Sequence, residues 1–393
     1  MQNLDNSLPE QRDKQEALNL VNGANDNAED IENNYKQLIY CPYCQDKLIK
    51  KGKRKKKYEE IQVYYCKNCE KKLTPVITKH KTYPLYVIID SLSLYNKLYF
   101  YDEIINIIKD KYGMKITRQI ILRWLNEYND YIPFLRMREF ASKKYSENKK
   151  EFIEESKLFH QQIYNFKYHR AKLELILNEE FKHFKFKPLQ EFLELVIAEC
   201  PHQLFQDSKR SSEFKDNKKT VFNMDEVKII NKYNQACKLA GFILQAISNN
   251  KLRHETLQEF MLYNDSCTVA VEVPVLLDNN DIKHYKHELN FEIPIELRLD
   301  EGEHITGHID LIQIRNGMIH IMDFKPSASK EKPISQLVLY ALALSRLTGL
   351  RLYNFKCAWF DDKNYYEFFP LHVVYKLRSK QRKKKIDKKQ RKL

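Results

Sequence analysis

Two aspartates and a lysine near the C-terminal end of the chain carry its strongest chemical signal. Asp310 closes the stretch GHID, and Asp323 and Lys325 bracket DFK a little further on. If those stretches are neighbouring strands, both carboxylates can reach one divalent cation. An all-oxygen set of that kind suits a hard ion, Mg²⁺ or Mn²⁺. Lys325 stands two residues beyond Asp323, so strand alternation puts both side chains on one sheet face. There an ammonium could orient a water for attack on phosphorus, help deprotonate it, and steady the charge that develops. The chemistry that needs this combination is phosphodiester hydrolysis. Gln336 and Tyr340 follow, one turn apart on an apolar helix. His308 and His320, on the same stretches, are expected to be structural.

A second set of residues points to a different use of metal. Cys41-Pro42-Tyr43-Cys44 and Cys66-Lys67-Asn68-Cys69 form two CxxC pairs. Each pair can make a tight knuckle, and two knuckles close a tetrahedral structural zinc site with no position left for water. Such a site supplies folding energy to a segment too short to build a core. Between the pairs runs KKGKRKKKYEE, where Arg54, Lys55 and Lys56 suit phosphate contacts that position without specifying sequence. Cys200, Cys237, Cys267 and Cys357 are scattered and read as ordinary thiols.

Positioning these residues requires several elements. TVAVEVPVLL (268–277), the stretch through GHIDLIQI, MIHIMDF and RLYNFKCAWF (351–360) read as strands. ISQLVLYALALSRLTG (334–349) reads as a helix, and another covers roughly 224–250. The order strands, helix, strand predicts a mixed α/β sheet. After the cysteines come three helical stretches between Pro84 and Tyr131. Asp102 is expected to cap the second, Gly113 to end it, and Thr117 to cap the third. Ile104, Ile107 and Ile108 would face Ile121, Trp124 and Leu125. The short GMKIT connection fits a helix-turn-helix that presents Arg118, Gln119 and Arg123 to a major groove. Residues 136–222, with helical periodicity and many charges, read as a helical linker or arm that could also carry a homodimer contact.

Composition agrees with a polyanionic partner. The 393 residues hold 67 Lys+Arg against 53 Asp+Glu, a net charge of +14, and the excess sits in the ribbon loop and in the last eighteen residues. Counterion release makes such clusters favourable on nucleic acid. Residues 1–37 are polar and acidic with few large apolar side chains, the composition of a disordered tail. Residues 376–393, almost wholly basic, read as a phosphate-binding arm. The chain shows neither a signal peptide nor a run of apolar residues long enough to span a bilayer, so a cytoplasmic, nucleoid-associated protein with no membrane partner is expected.

Two resemblances extend this reading. The order CPYC, basic loop, CKNC and then helices through Trp124 resembles the DNA-binding head of insertion-sequence transposases over about 38–131, although no DDE catalytic domain follows. GHID, DFK and Gln336-Leu337-Val338-Leu339-Tyr340 resemble the GxxD, DxK and QxxxY motifs of the PD-(D/E)xK superfamily, and within it the RecB-type nucleases. That resemblance implies a restriction-endonuclease-like α/β core with a mixed central sheet. It implies metal ligation by Asp310 and Asp323, catalysis by Lys325, and contact of Gln336 and Tyr340 with the active site or DNA. It also points to Glu272, in VAVEVPV, as an acidic neighbour on the preceding strand. Many such enzymes carry a metal-binding histidine in a GxxxH stretch; the nearest match ends in Gln245, and His169 or Glu174 are the weak substitutes. CRISPR-associated relatives hold an iron–sulfur cluster; only isolated cysteines lie near this core, so none is expected here.

The whole then reads as a multidomain α+β protein. Its expected units are a tail (1–37), a zinc ribbon (38–80), a helix-turn-helix (81–135), a helical linker (136–222), a nuclease (223–375) and a basic tail (376–393). The expected activity is Mg²⁺- or Mn²⁺-dependent cleavage of DNA, in the company of domains found in mobile elements, viruses and defence systems. The alternative is a DNA-binding transcription or replication factor whose nuclease fold has lost activity; a third reading has RNA as the substrate.

Overall fold

In the computed structural model, the described residues are 40–375 except 42, 75–80, 146, 149–150, 180–183, 215–221, 225–226 and 248–249. The two terminal tails read from the sequence lie outside this range. The first unit is a three-stranded antiparallel sheet of β1 (Ile49–Lys55), β2 (Glu60–Tyr65) and β3 (Lys72–Leu73). Among the described residues its core cluster is small, Cys41, Leu48, Tyr64 and Cys66, with Cys44, Cys69 and Leu73 packed against it, and Ile61 is buried as well.

Three helices follow: α1 (Leu85–Asn96), α2 (Tyr101–Tyr112) and α3 (Arg118–Glu127). Gly113 ends α2 at φ 64°, the left-handed conformation a C-terminal glycine adopts without steric cost, and the Thr117 side chain accepts from the Ile120 amide at 3.4 Å. The expected cap at Asp102 is corrected. The helix begins earlier, and Glu103 reaches back to accept from the Phe100 amide at 2.6 Å, leaving Asp102 in the first turn. Ile104, Ile108, Ile121, Trp124 and Leu125 are buried.

The centre of the molecule is a nine-stranded sheet. Its order is β4 (Glu154–His160), β5 (Gln162–Tyr168), β8 (Thr268–Asp278), β9 (His304–Arg315), β10 (Met318–Phe324), β11 (Phe355–Phe360), β12 (Tyr365–Phe368) and β7 (Ile230–Lys232). The short β6 (Lys209–Arg210) pairs parallel to β9, and β10 pairs parallel to β11; the other pairs are antiparallel. The sheet is therefore mixed, as expected. The four strands and the helix anticipated between 268 and 360 are present, with the last strand shortened by a 3₁₀ turn at Leu352–Asn354.

Two expectations fail. Residues 136–222 are not a helical arm: after α4 (Arg138–Tyr145) the chain forms the β4–β5 hairpin, which joins the edge of the sheet at β8. The charged residues that imitated a helical period are the outward positions of this hairpin, while Leu158, Phe166 and Tyr168 point into the core. Among the described residues of the second half, only α5 (Lys187–Glu199) is a substantial helix. The single helix expected over 224–250 is instead β7 followed by α6 (Gln235–Ala246), capped by Asn234, and then α7 (Asn250–Asn264).

Helices cover both faces. One core joins α5 and α8 (Ile334–Thr348) to Val273, Val275, Ile309, Ile312, Ile321 and Trp359. The other joins α6 and α7 to Val271, Leu311, Met322 and Phe360, and it also contains Val87, Ile88, Leu92, Ile108 and Trp124 from the N-terminal helices. Those helices thus pack directly on the sheet domain rather than standing off on an arm. A buried amide clamp adds direction to the contact: Asn96 Nδ2 donates to Asn264 Oδ1 at 2.9 Å, and Asn264 Nδ2 donates to Ser93 Oγ at 2.9 Å. Leaving either amide unpaired inside this core would cost about 1–3 kcal/mol. Among the described residues no helix is long and apolar enough to cross a membrane.

Candidate active site

The site forms where β9 changes partner. Along one edge β9 pairs with β8 throughout; along the other it pairs with β6 at Ile305 and Thr306, then with β10 from Leu311 onward. Between these, residues 307–310 have no ladder partner on that edge among the described residues. The gap opens a cavity of about 230 Å³ lined by His254, Glu272, Asp310, Asp323, Lys325 and Tyr340, among others.

Register puts three carboxylates in a row. Val271 pairs with Leu311 and Val273 with Ile309, which sets Glu272 opposite Asp310; Met322 pairs with Leu311, which sets Asp323 on Asp310's other side. Asp310 Oδ2 accepts from the Phe324 amide at 3.1 Å, filling the place of a ladder bond at the fork. Glu272 lies in the left-handed region at φ 52° in the middle of a strand. A residue with a Cβ pays roughly 1–3 kcal/mol for that conformation. The twist also switches alternation along β8: Val271 packs on the α6–α7 side, Val273 and Val275 on the α8 side.

A histidine that the sequence did not single out, His254, stands at the row. It projects from α7, and its Nε2 lies 2.7 Å from Asp310 Oδ2. One helical turn on, Gln258 Nε2 donates to Glu272 Oε1 at 2.7 Å. Nitrogen or oxygen atoms of His254, Glu272 and Asp310 lie within 4.8 Å of one another, the closeness that one metal ion requires. The substitutes considered from sequence are elsewhere. Gln245 Nε2 donates back to the Gly241 carbonyl at 2.6 Å; His169 is a buried helix cap between Phe134 and Phe152; Glu174 pairs with Tyr145 and Lys144. His254 was legible only as one face of α7, where it precedes Gln258 and Met261 at helical spacing.

Electrostatics follow from crowding. Burial, then the Asp310 charge, raises the Glu272 and Asp323 carboxyls to about 7. Burial opposes ionisation of Asp310 as well, but His254 and Lys325 overcome it and hold that carboxyl at about 2. Burial likewise opposes charge on His254, yet Asp310, Glu272 and Asp323 lift it to about 9. Lys325 Nζ lies 2.7 Å from Asp323 Oδ2, and the pull of Asp323 and Asp310 outweighs burial and raises its pKa. The Coulomb stress of three carboxylates in one row is what a divalent cation relieves.

The helix α8 completes the wall. Gln336 Nε2 donates to the Tyr340 hydroxyl at 2.8 Å, and the Tyr340 ring rests on Gly307. A Cβ at Gly307 would lie 2.4 Å from Tyr340 Cε1 and 2.4 Å from Ser211 Oγ, so GHID and QxxxY meet only through glycine. Trp359 Nε1 donates to the Ala328 carbonyl at 2.8 Å and the Ala328 amide to Asp361 Oδ2 at 3.0 Å, anchoring the loop after Lys325. Five further lining residues, Gln162, Tyr164, Arg210, Ser211 and Ser212, come from the 136–222 region and were missed as site residues. No spacing announced them, because they reach the site through a hairpin and a two-residue strand.

The N-terminal cysteines also converge. Cys41 and Cys69 Sγ lie 3.9 Å apart, Cys44 and Cys66 Sγ 3.4 Å, and all four thiols fall within one ion's reach. Tetrahedral zinc–thiolate geometry separates sulfurs by about 3.8 Å, from Zn–S bonds of about 2.3 Å, so the set fits zinc. Arg54 and Lys55 are exposed on β1, whereas Lys56 Nζ is engaged by Glu59 at 3.4 Å and the Lys81 carbonyl at 3.1 Å, tying ribbon to helices. Arg118, Gln119 and Arg123 are exposed on α3, with Arg118 over the Tyr101 ring at 4.9 Å. His308 and His320 are both buried, and His308 is also one of the cavity's lining residues.

No curated protein and no solved structure matches this chain. The family comparison falls on the part of the chain that holds the carboxylate row, Lys325 and the Gln336–Tyr340 pair. Residues 251–388 match the PD-(D/E)XK nuclease superfamily, which is what this part of the chain is similar to.

Proposed function

We propose that the protein is a metal-dependent deoxyribonuclease that grips DNA through its ribbon and α2–α3 helices and hydrolyses it at the Glu272–Asp310–Asp323 row. The observation that carries this reading is the meeting of His254, Glu272 and Asp310 within one ion's reach, with Lys325 beside Asp323. A divalent ion held there would supply charge neutralisation at the phosphate and activation of water. His254 adds a nitrogen to an otherwise oxygen donor set, which favours Mn²⁺ over Mg²⁺ more than carboxylates alone would.

The chain's own residues divide the remaining work. Asp310, kept ionised and tied to the Phe324 amide, is the fixed ligand. Glu272 and Asp323, with carboxyls raised to about 7, are poised to give up a proton when a cation arrives. Lys325, whose positive charge its neighbours favour, faces the charge that builds on the phosphate rather than acting as a base. Gln336 orients the Tyr340 hydroxyl toward the cavity, and Arg210, on the cavity lining and bonded to the Tyr164 hydroxyl, is placed to hold a backbone phosphate. Arg118, Gln119 and Arg123 supply the exposed face of a helix-turn-helix, with Arg54 and Lys55 as phosphate contacts from a zinc ribbon. Because the N-terminal helices share a core with α6 and α7, bound DNA is held in a set relation to the cavity.

Incubation of the purified chain with single-stranded, duplex and flapped DNA and with RNA, in Mn²⁺ or Mg²⁺, tests this. Cleavage of DNA that disappears in Asp310→Asn and Lys325→Ala supports it. DNA binding without cleavage of any form under either metal would leave a binding protein, and preferential RNA cleavage would change the substrate.

A further inference from the structure

A second cluster of metal-binding side chains lies outside both sites already described. His160, at the end of β4, is buried; Cys200 and His202 stand in the turn after α5. His160 Nε2 is 2.7 Å from His202 Nδ1, Cys200 Sγ is 3.9 Å from His160 Nε2, and the three donors lie within 4.8 Å of one another. The other nitrogen of His160, Nδ1, is 2.8 Å from His308 Nε2. A hydrogen bond there fixes which His160 nitrogen faces the cluster, the arrangement that holds and tunes metal-bound imidazoles. The Phe205 ring stacks on His160 at 4.1 Å and keeps its plane in place.

We propose that His160, Cys200 and His202 form a second metal centre for one thiophilic divalent ion of the Zn²⁺ class, joining the β4–β5 hairpin to the chain leading into β6. Two imidazoles and a thiol are the donors such an ion prefers, and none of the three is a carboxylate that would select Mg²⁺. Tetrahedral zinc would separate two ring nitrogens by about 3.4 Å and a nitrogen from a thiolate by about 3.6 Å. The sulfur distance is already close to that, and the imidazoles need to part by about 0.7 Å, which His202, exposed to solvent, is free to do. Binding releases the Cys200 proton to solvent, and the fourth position is left to water on the His202 side.

The centre's place explains what it would do. His308, hydrogen-bonded to His160, stacks on Tyr164 with ring centroids 3.5 Å apart and planes within 6°. Tyr164 and His308 line the cavity, as do Arg210 and Ser211 a few residues past His202. A metal staple here would hold in place the wall that residues outside the 251–388 match contribute.

Zinc content by plasma mass spectrometry on the full chain, after dialysis against excess Mg²⁺, is the direct test. About two ions per chain are expected, one in the four-cysteine site and one here. The Cys200→Ala/His202→Ala variant should hold about one, with zinc X-ray absorption showing nitrogen neighbours lost and only sulfur remaining. Asp310→Asn should leave the count unchanged. Equal zinc content in the double variant and the parent overturns the proposal and leaves a hydrogen-bonded imidazole chain. Should the variant fail to fold, the parent alone decides. Added Zn²⁺ should slow iodoacetamide labelling of Cys200 at least tenfold, and labelling unchanged by zinc overturns the proposal equally.

Discussion

The ribbon and the sheet domain solve the same problem of stability by opposite means. Among its described residues the ribbon buries five, two of them cysteines, a core far smaller than the sheet domain's. The sheet domain buries two large apolar clusters on its two faces and can afford, at its centre, three carboxylates in a row and a left-handed Glu272. In the ribbon a metal would be the core. In the sheet the core exists without metal, and the carboxylate row is a strained exception that the core supports. The lesson is that the two sites should respond differently to the same treatment.

Zinc removal is the harshest way to probe that contrast. Structural zinc contributes about 10–16 kcal/mol in isolated finger peptides, far more than a ribbon of this size can replace. Chelation, or Cys66→Ser, should unfold residues 40–74 and weaken DNA binding, while hydrogen exchange in β8–β10 stays slow. Loss of protection in both regions together would erase the distinction.

At the sheet, single side chains should matter for catalysis more than for folding. Asp310→Asn and Lys325→Ala are each expected to lower cleavage by about 10³-fold or more, on the scale of losing a preorganised charge at the transition state. Thermal melting should change little, because neither residue belongs to the two apolar clusters. A variant that cleaves normally would dissociate the row from the chemistry. His254→Ala should shift preference from Mn²⁺ toward Mg²⁺, read as the ratio of rates in the two ions.

Packing at the site is tested more gently by Gly307→Ala. The added methyl meets Tyr340 and Ser211, and overpacking of this kind costs about 1–3 kcal/mol. Denaturant unfolding should show that loss, and trimming the partner in Gly307→Ala/Tyr340→Phe should not restore it, since the contact is made by the ring carbons. Full recovery in the double variant would place the crowding at the hydroxyl instead.

The smallest effect is on pH. Glu272 and Asp323, raised to about 7, and His254, raised to about 9, hold protons that a cation must displace. Mn²⁺ affinity in Asp310-intact protein should therefore rise with pH. The expected slope is up to about tenfold per unit between pH 7 and 9, where His254 alone gives up its proton, and steeper below 7. Calorimetric titration measures this, and an affinity flat from pH 6 to 9 would contradict the ligand set. The four-cysteine site should hold its zinc across the same range.

How much of this was readable beforehand follows the same division. The ribbon ligands declare themselves by CxxC spacing, because a knuckle is a local structure. Asp310, Asp323 and Lys325 were legible because β9 and β10 are joined by a short hairpin, so their register is nearly local too. Gly113 and Thr117 mark helix ends by rules that need only adjacent residues. His254 was not recognised, since its meeting with Asp310 depends on how α7 crosses the sheet. The β4–β5 hairpin was mistaken for helix because its charged outward positions carry no signal of the edge they cover.

By itself the sequence determined the chemistry available: two aspartates and a lysine on alternating strands, paired cysteines, and a basic surplus. Only the tertiary structure decided which distant residues join them. The partner change along β9 that opens the cavity, the packing of α1 on α7, and the approach of His160 to Cys200 all depend on contacts between segments far apart in the chain, and local periodicity carries no information about such contacts.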